Sequence, residues 1–390
     1  MKKIFILIIS LVVLTTSAWA QEQEESTNRD AITGEIFATL STDAVNHFID
    51  DINKDLTVKV PSLSMETIKD LAKKGVNLDF AGIGNDLLRK VFHEIVTNTQ
   101  IMGKLLFLAV LCTLLKNLQN SFNHSSIALL AYSVCFVFLS VIALTAFYHA
   151  LQIAASTIDS MVTFMEALLP LMITLLAGVG ALTTASLFSP LMLIVIGTIS
   201  TMVKGVVFPL LMISAGLECT NYIADKYKLS NLTALLKQGS MMFLGFMMVL
   251  FIGIITIQGV TGGVADGLTL RTAKFATASF IPVVGKVFAD TVELAMGAAL
   301  LIKNSIGIFG VIVILTICLL PIIKMFSLVL IIKVTGALIQ PMGDERMAQC
   351  LMSIGNHLIL AAGALLTVIL MFFLAITMIV GAGSMAVMLR

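Results

Sequence analysis

From Lys104 to Arg390 the chain runs as one apolar stretch after another, interrupted only by sparse charges. A soluble domain of this size has nowhere to put so much apolar surface. Hydrophobic residues make up 58% of the 390 positions and charged residues 12%, far more apolar and far less charged than a typical globular chain. The bilayer is therefore the solvent. The expected fold is all-α: a polytopic α-helical membrane protein that carries a small extracytoplasmic helical domain at its N-terminus.

The first twenty residues have the pattern of an export signal. Lys2 and Lys3 supply a basic start, Ile4 to Leu14 an apolar run, and Ala18-Trp19-Ala20 a small-x-small cleavage pattern ahead of Gln21-Glu22-Gln23-Glu24-Glu25. An uncleaved anchor helix is the alternative, although the apolar core falls short of the ~20 residues of a span. Either way the next segment lies outside the cytoplasm. The expected organisation is a signal peptide over 1–20, an extracytoplasmic acidic helical domain over 21–100, and a transmembrane domain over 101–390.

Residues 21–100 hold 14 of the 23 acidic residues against 8 basic ones. That excess argues against nucleic acid as a partner. Apolar residues recur there at helical spacing, as Ile32, Ile36, Leu40 and then Val45, Ile49, Ile52, Leu56. Ser41-Thr42-Asp43 predicts a cap between the two runs. Pro61 breaks the pattern, Ser64 caps a short helix with Ile68, Leu71 and Ala72, Gly75 is placed to end it, and Ile83, Leu87, Leu88, Val91, Phe92 and Ile95 lead toward the membrane. So few short helices make a marginal core, and the domain is expected to lean on the membrane region or on a partner. Ile36, Ile49 and Leu87 are its candidate docking faces.

About eight or nine spans are expected. Met102 to Leu118 is short and bracketed by Lys104 and Lys116, whose stems can snorkel, and Ile127 to Tyr148 is of full length. Between Asp159 and Asp225, with Pro170, Pro190 and Pro209 inside, three crossings are preferred. That parity places the loop of Lys226, Lys228 and Lys237 in the cytoplasm, as the positive-inside bias asks. Gly239 to Thr261, Ile306 to Ile323, Met325 to Leu338 and Leu358 to Val380 complete the crossings, and 276–301 is a candidate amphipathic or re-entrant helix.

No catalytic or cofactor pattern is visible. Cys112, Cys135, Cys219, Cys318 and Cys350 show no C-x-x-C spacing and read as small buried hydrophobes. His47, His93, His124, His149 and His357 are scattered without metal-ligand spacing. There is neither a P-loop nor a G-x-S-x-G turn. The reading is of a non-enzyme with no metal and no cofactor. The candidate working surface is a stripe of Ser279, Lys286, Asp290 and Glu293, spaced seven, four and three apart on an otherwise apolar cylinder. Charges at membrane depth normally face a bundle interior or a water-filled cavity. Lys286, Asp290 and Glu293 are thus a candidate pore or gate face, the alternative being a flat interfacial helix with Lys286 and Asp290 paired. Just before it Gly259, Gly263 and Gly267 repeat every four residues, with Asp266 inside the run: a close helix packing, a hinge, or a simple turn.

Arg271-Thr272-Ala273-Lys274-Phe275-Ala276, then Phe280-Ile281-Pro282-Val283-Val284-Gly285 and Asp290-Thr291, set behind an export signal and an acidic ectodomain, resemble the stage III sporulation protein AE family along essentially the whole chain. The resemblance implies a multi-pass protein of the mother-cell (outer forespore) membrane of endospore-forming bacteria, its N-terminal domain in the intermembrane space. It implies as partners the other stage III sporulation A proteins, including a separate ATPase subunit, and stage II sporulation protein Q on the forespore side. Together these would form a secretion-like channel or feeding tube that sustains late forespore gene expression. A homo-oligomer within membrane lipid is expected. The family has no established catalytic residues to carry over. A secondary permease with its own substrate site among broken helices is the second functional class. An internal inverted repeat would favour it, and none is convincing here.

Overall fold

The computed structural model describes residues 32–55, 62–74, 80–121, 126–223, 229–280 and 284–388. The signal sequence, Pro61, Gly75, Lys226 and Lys228 lie outside them. Every element among the described residues is helical. Residues 32–39 (α1) precede α2 (Asp43–Asp55) and α3 (Met65–Lys74), and then come α4 (Phe80–Ser121), α5 (Ser126–Gly178) and α6 (Leu182–Met202). A π turn (Val203–Val207) joins α6 to α7 (Phe208–Ile223). They are followed by α8 (Ser230–Phe280), α9 (Val284–Ile339), a 3₁₀ turn (Gln340–Met342) and α10 (Glu345–Met388).

The short helices start where their polar residues place them. Thr42 precedes α2 and its carbonyl accepts the Asn46 N–H at 3.0 Å. Ser64 caps α3, its Oγ accepting the Thr67 N–H at 3.2 Å. The Asn46 side chain ties the two together, donating to the Leu63 carbonyl and accepting the Leu63 N–H. The apolar faces of α2 and α3 are turned onto the chain's own membrane helices: Val45, Ile49, Leu63 and Ile68 are buried, and the Phe48 ring meets Phe164 of α5 with centroids 5.4 Å apart. Ile49 is therefore used inside the chain and not as a free docking face, while the Leu87 side chain falls outside the description. Ile49→Asp is expected to release α2 from α5 at a cost of about 3 kcal/mol. Limited proteolysis between α2 and α3 in intact membranes should read this directly. A cleavage rate equal to wild type would rule it out.

Among the described residues, six helical runs have the length and composition of membrane spans: Arg89–Lys116, Leu130–Gly178, Leu182–Ile223, Ser230–Thr269, Leu294–Met342 and Glu345–Ala382. They alternate in direction. Lys116 and Tyr132 both reach Gly343 or Asp344, and Ser214 meets Thr233 and His357, which places the ends of α4, α7 and α9 and the starts of α5, α8 and α10 together. Thr183 and Thr184 meet Asp266 at the opposite end.

The helix boundaries differ from those expected. Instead of reversing at His149, α5 continues to Gly178, because His149 to Ser160 contains no proline or glycine and is rich in helix-forming residues. Among the described residues from Asp159 to Ile223 the chain makes the end of α5 and the α6–π–α7 run, where three crossings are expected. Pro170 and Pro190 are carried inside helices, as packed membrane helices allow. At 53 residues α5 is about 80 Å long, well beyond a bilayer core of ~30 Å. Its two apolar runs flank a polar waist of Gln152, Ser156, Thr157, Asp159 and Ser160, and α2 packs beside this waist, well away from the tip of the bundle.

Candidate functional site

Polar side chains gather inside the bundle at three levels. The first is the end at which α5 turns into α6. Gly180 adopts a left-handed φ of 87°, and Ala181 at the start of α6 supplies no side-chain cap. Asp266, from the middle of α8 and only 1% exposed, does so across the interface: its two carboxylate oxygens accept the N–H groups of Thr183 at 2.8 Å and Thr184 at 2.9 Å. These are the orphan donors of the first turn of α6, and the positive end of the helix dipole favours the carboxylate there.

The glycine run makes this approach possible. Gly259, Gly262, Gly263 and Gly267 are all buried, and α8 passes through them unbroken. A Cβ on Gly262 would stand 2.5 Å from Thr184 Oγ1 and 3.1 Å from Thr184 Cα, and one on Gly259 would stand 2.9 Å from Met378 Cε of α10. At Gly259 and Gly262 α8 therefore packs close to α10 and to the start of α6, an approach that a side chain would block.

The second level is the waist. Lys204, inside the π turn, is paired with Asp159 of α5. The π turn has a local cause: Pro209 has no N–H to offer, and in the turn before it the ladder slips so that the Phe208 N–H bonds the Val203 carbonyl. Along the same stretch of α5 a cavity of about 430 Å³ opens between α2, α5 and α9, lined by Ile52, Gln152, Ser156, Thr157, Pro321 and Lys324 among others. Glu166 is exposed on α5.

The third level lies at the opposite end. Asp344, fully buried, precedes α10; its Oδ1 accepts from the Tyr132 hydroxyl at 3.2 Å, while Lys116, which donates to the Gly343 carbonyl, stands 3.9 Å away. One layer deeper, His357 of α10 is fully buried: its Nε2 is 2.9 Å from Ser214 Oγ and 3.6 Å from Glu218 Oε2 of α7, and its Nδ1 is 3.0 Å from the Ser353 carbonyl oxygen. Cys219 and Cys350 pack sulfur to sulfur at 3.3 Å as free thiols beside Ser140. Cys112 and Cys318 are also buried.

The expected pore face is only partly placed. α8 ends at Phe280 and α9 opens at Val284, so Ser279 belongs to a different helix from Lys286, Asp290 and Glu293. These three share the first turns of α9, which continues to Ile339, and their side chains lie outside the described residues. His357, Ser214 and Glu218 carried no sequence signal, since α7 and α10 are separated by more than a hundred residues. In the sequence Asp266 stands out only as an acidic residue inside the glycine run.

The stage III sporulation protein AE family matches residues 63–383. This chain belongs to that family. Stage III sporulation protein AE of Bacillus subtilis (strain 168) is 33% identical over 370 residues, covering 95% of this chain and 93% of that protein. No solved structure matches. The AE match takes in the polar side chains of all three levels, from Lys116 to His357, and begins after α2. Membership in the AE family carries a role in sporulation, and the helices place that role in a membrane. Among the described residues no three His, Cys, Asp or Glu side chains converge as a metal site.

Proposed function

We propose that this chain is a non-enzymatic, multi-pass component of a secretion-like channel that links mother cell and forespore and sustains late forespore gene expression. Membership in the AE family carries the reading. The polar levels inside an otherwise apolar bundle support it, because buried polar groups in lipid are costly and are kept where they hold helices in register or border a path for solutes. The protein would sit in the mother-cell (outer forespore) membrane after removal of 1–20, with 21–100 in the intermembrane space. The other stage III sporulation A proteins, a separate ATPase subunit among them, stage II sporulation protein Q and further copies of the chain would be its neighbours.

On this reading Lys286, Asp290 and Glu293 at the start of α9 line the conduit. Asp290→Leu should leave the protein abundant and in complex while spore yield falls by orders of magnitude after engulfment, and Val287→Leu should be nearly silent. Spore counts taken beside immunoblots and co-purification with the ATPase subunit give the result. A normal spore yield from stably expressed Asp290→Leu would remove the conduit face. Failure of the wild-type chain to co-purify with any stage III sporulation A protein would remove the channel reading and leave the permease.

A further inference from the structure

The His357 cluster joins three helices through one hydroxyl, and its contacts cannot all be hydrogen bonds unless the ring carries two protons. The Ser353 carbonyl only accepts, so the 3.0 Å contact requires a proton on Nδ1. Ser214 has a single proton and two neighbours, the Thr233 carbonyl of α8 at 3.0 Å and His357 Nε2 at 2.9 Å. With a neutral ring the serine must choose. If it donates to Nε2, the bond from α7 to α8 is lost; if it donates to Thr233, two lone pairs face each other at 2.9 Å. A proton on Nε2 resolves the conflict, because Nε2–H then donates to Ser214 Oγ and Ser214 donates to Thr233. One chain of hydrogen bonds then runs from α10 through α7 to α8.

The surroundings suit a proton that comes and goes. Glu218 Oε2, 3.6 Å from Nε2, balances the imidazolium, and its side chain is 26% exposed, which gives protons a way in from that end of the bundle. The Phe147 ring of α5 meets the imidazole edge-on, centroids 6.4 Å apart. Lys237 of α8 acts on the ring as an opposing positive charge. Lys333 of α9 lies along Gly355, two residues away, and Cys219 and Cys350 are the nearby thiols. We infer that His357, with Ser214 and Glu218, is a proton-binding site whose occupancy clamps α7, α8 and α10 together. This goes beyond the channel reading and does not depend on it.

The test is nitrogen NMR of the imidazole rings of the full-length chain, ¹⁵N-labelled at histidine, in lipid nanodiscs between pH 5 and pH 8, with His357→Gln assigning the His357 signals. The expected result is a ring that passes from two protonated nitrogens to one, keeping the proton on Nδ1. Glu218→Gln should weaken proton binding about tenfold, a shift of about one pH unit, and Ser214→Ala should weaken it severalfold. A His357 ring that holds one neutral tautomer across the whole range would overturn the inference. So would a titration that neither variant moves.

Discussion

Asp266→Ala should be among the most damaging single substitutions in the membrane domain, lowering stability by about 3 kcal/mol. The carboxylate of Asp266, itself 1% exposed, is the cap of α6, and its loss leaves the N–H groups of Thr183 and Thr184 without that acceptor. Each buried, unmade donor costs about 1–3 kcal/mol. Asp266→Asn keeps one acceptor oxygen but gives up the charge that the helix dipole favours, so it should fall between. Gly262→Ala attacks the same junction sterically. The Thr184 hydroxyl can rotate away from the new methyl, but Thr184 Cα, 3.1 Å from it, is backbone and moves only with the whole start of α6. Gly253→Ala, with nothing within 4 Å, is the control and should be neutral or slightly stabilising through helix propensity. Because both substitutions act on one contact, Asp266→Ala combined with Gly262→Ala should cost less than the sum. Thermal unfolding in detergent, read beside abundance in the membrane, measures all five variants. An Asp266→Ala protein that unfolds with wild-type behaviour would show that the cap is dispensable.

The second large effect is expected where Gly307 of α9 faces Val380 of α10. A Cβ on Gly307 would stand 2.1 Å from Val380 Cγ2, so Gly307→Ala forces the helices apart and should cost about 2 kcal/mol from overpacking alone. The consequence extends to Lys303, one turn earlier and fully buried, whose ammonium donates to the Val380 carbonyl at 2.8 Å. Separation stretches that bond, and a buried cation that loses its acceptor is costly. Val380→Ala removes the clashing methyl while leaving the carbonyl in place, so the double variant should recover most of the loss. If Val380→Ala gave no rescue in the thermal unfolding of Gly307→Ala, the clash would not be the cause.

The sequence by itself determined the solvent and the architecture: 58% hydrophobic residues in spanning lengths leave only helices in a bilayer as a reading, and short-range signals such as Thr42 and Ser64 start helices where they stand. These are local effects, readable because a cap or an apolar run needs only its neighbours in the chain. Helix continuity was less legible. Pro170 and Pro190 look like breaks, yet packing carries both inside helices, whereas Pro209 coincides with a slipped turn. Only the tertiary structure decided the meaning of the buried polar residues. Asp266 meets α6 more than eighty positions earlier in the chain, and His357 meets Ser214 across 143. No periodicity encodes such pairs, because each exists only once antiparallel helices have set their register, and burial then makes an unpaired polar group too costly to keep.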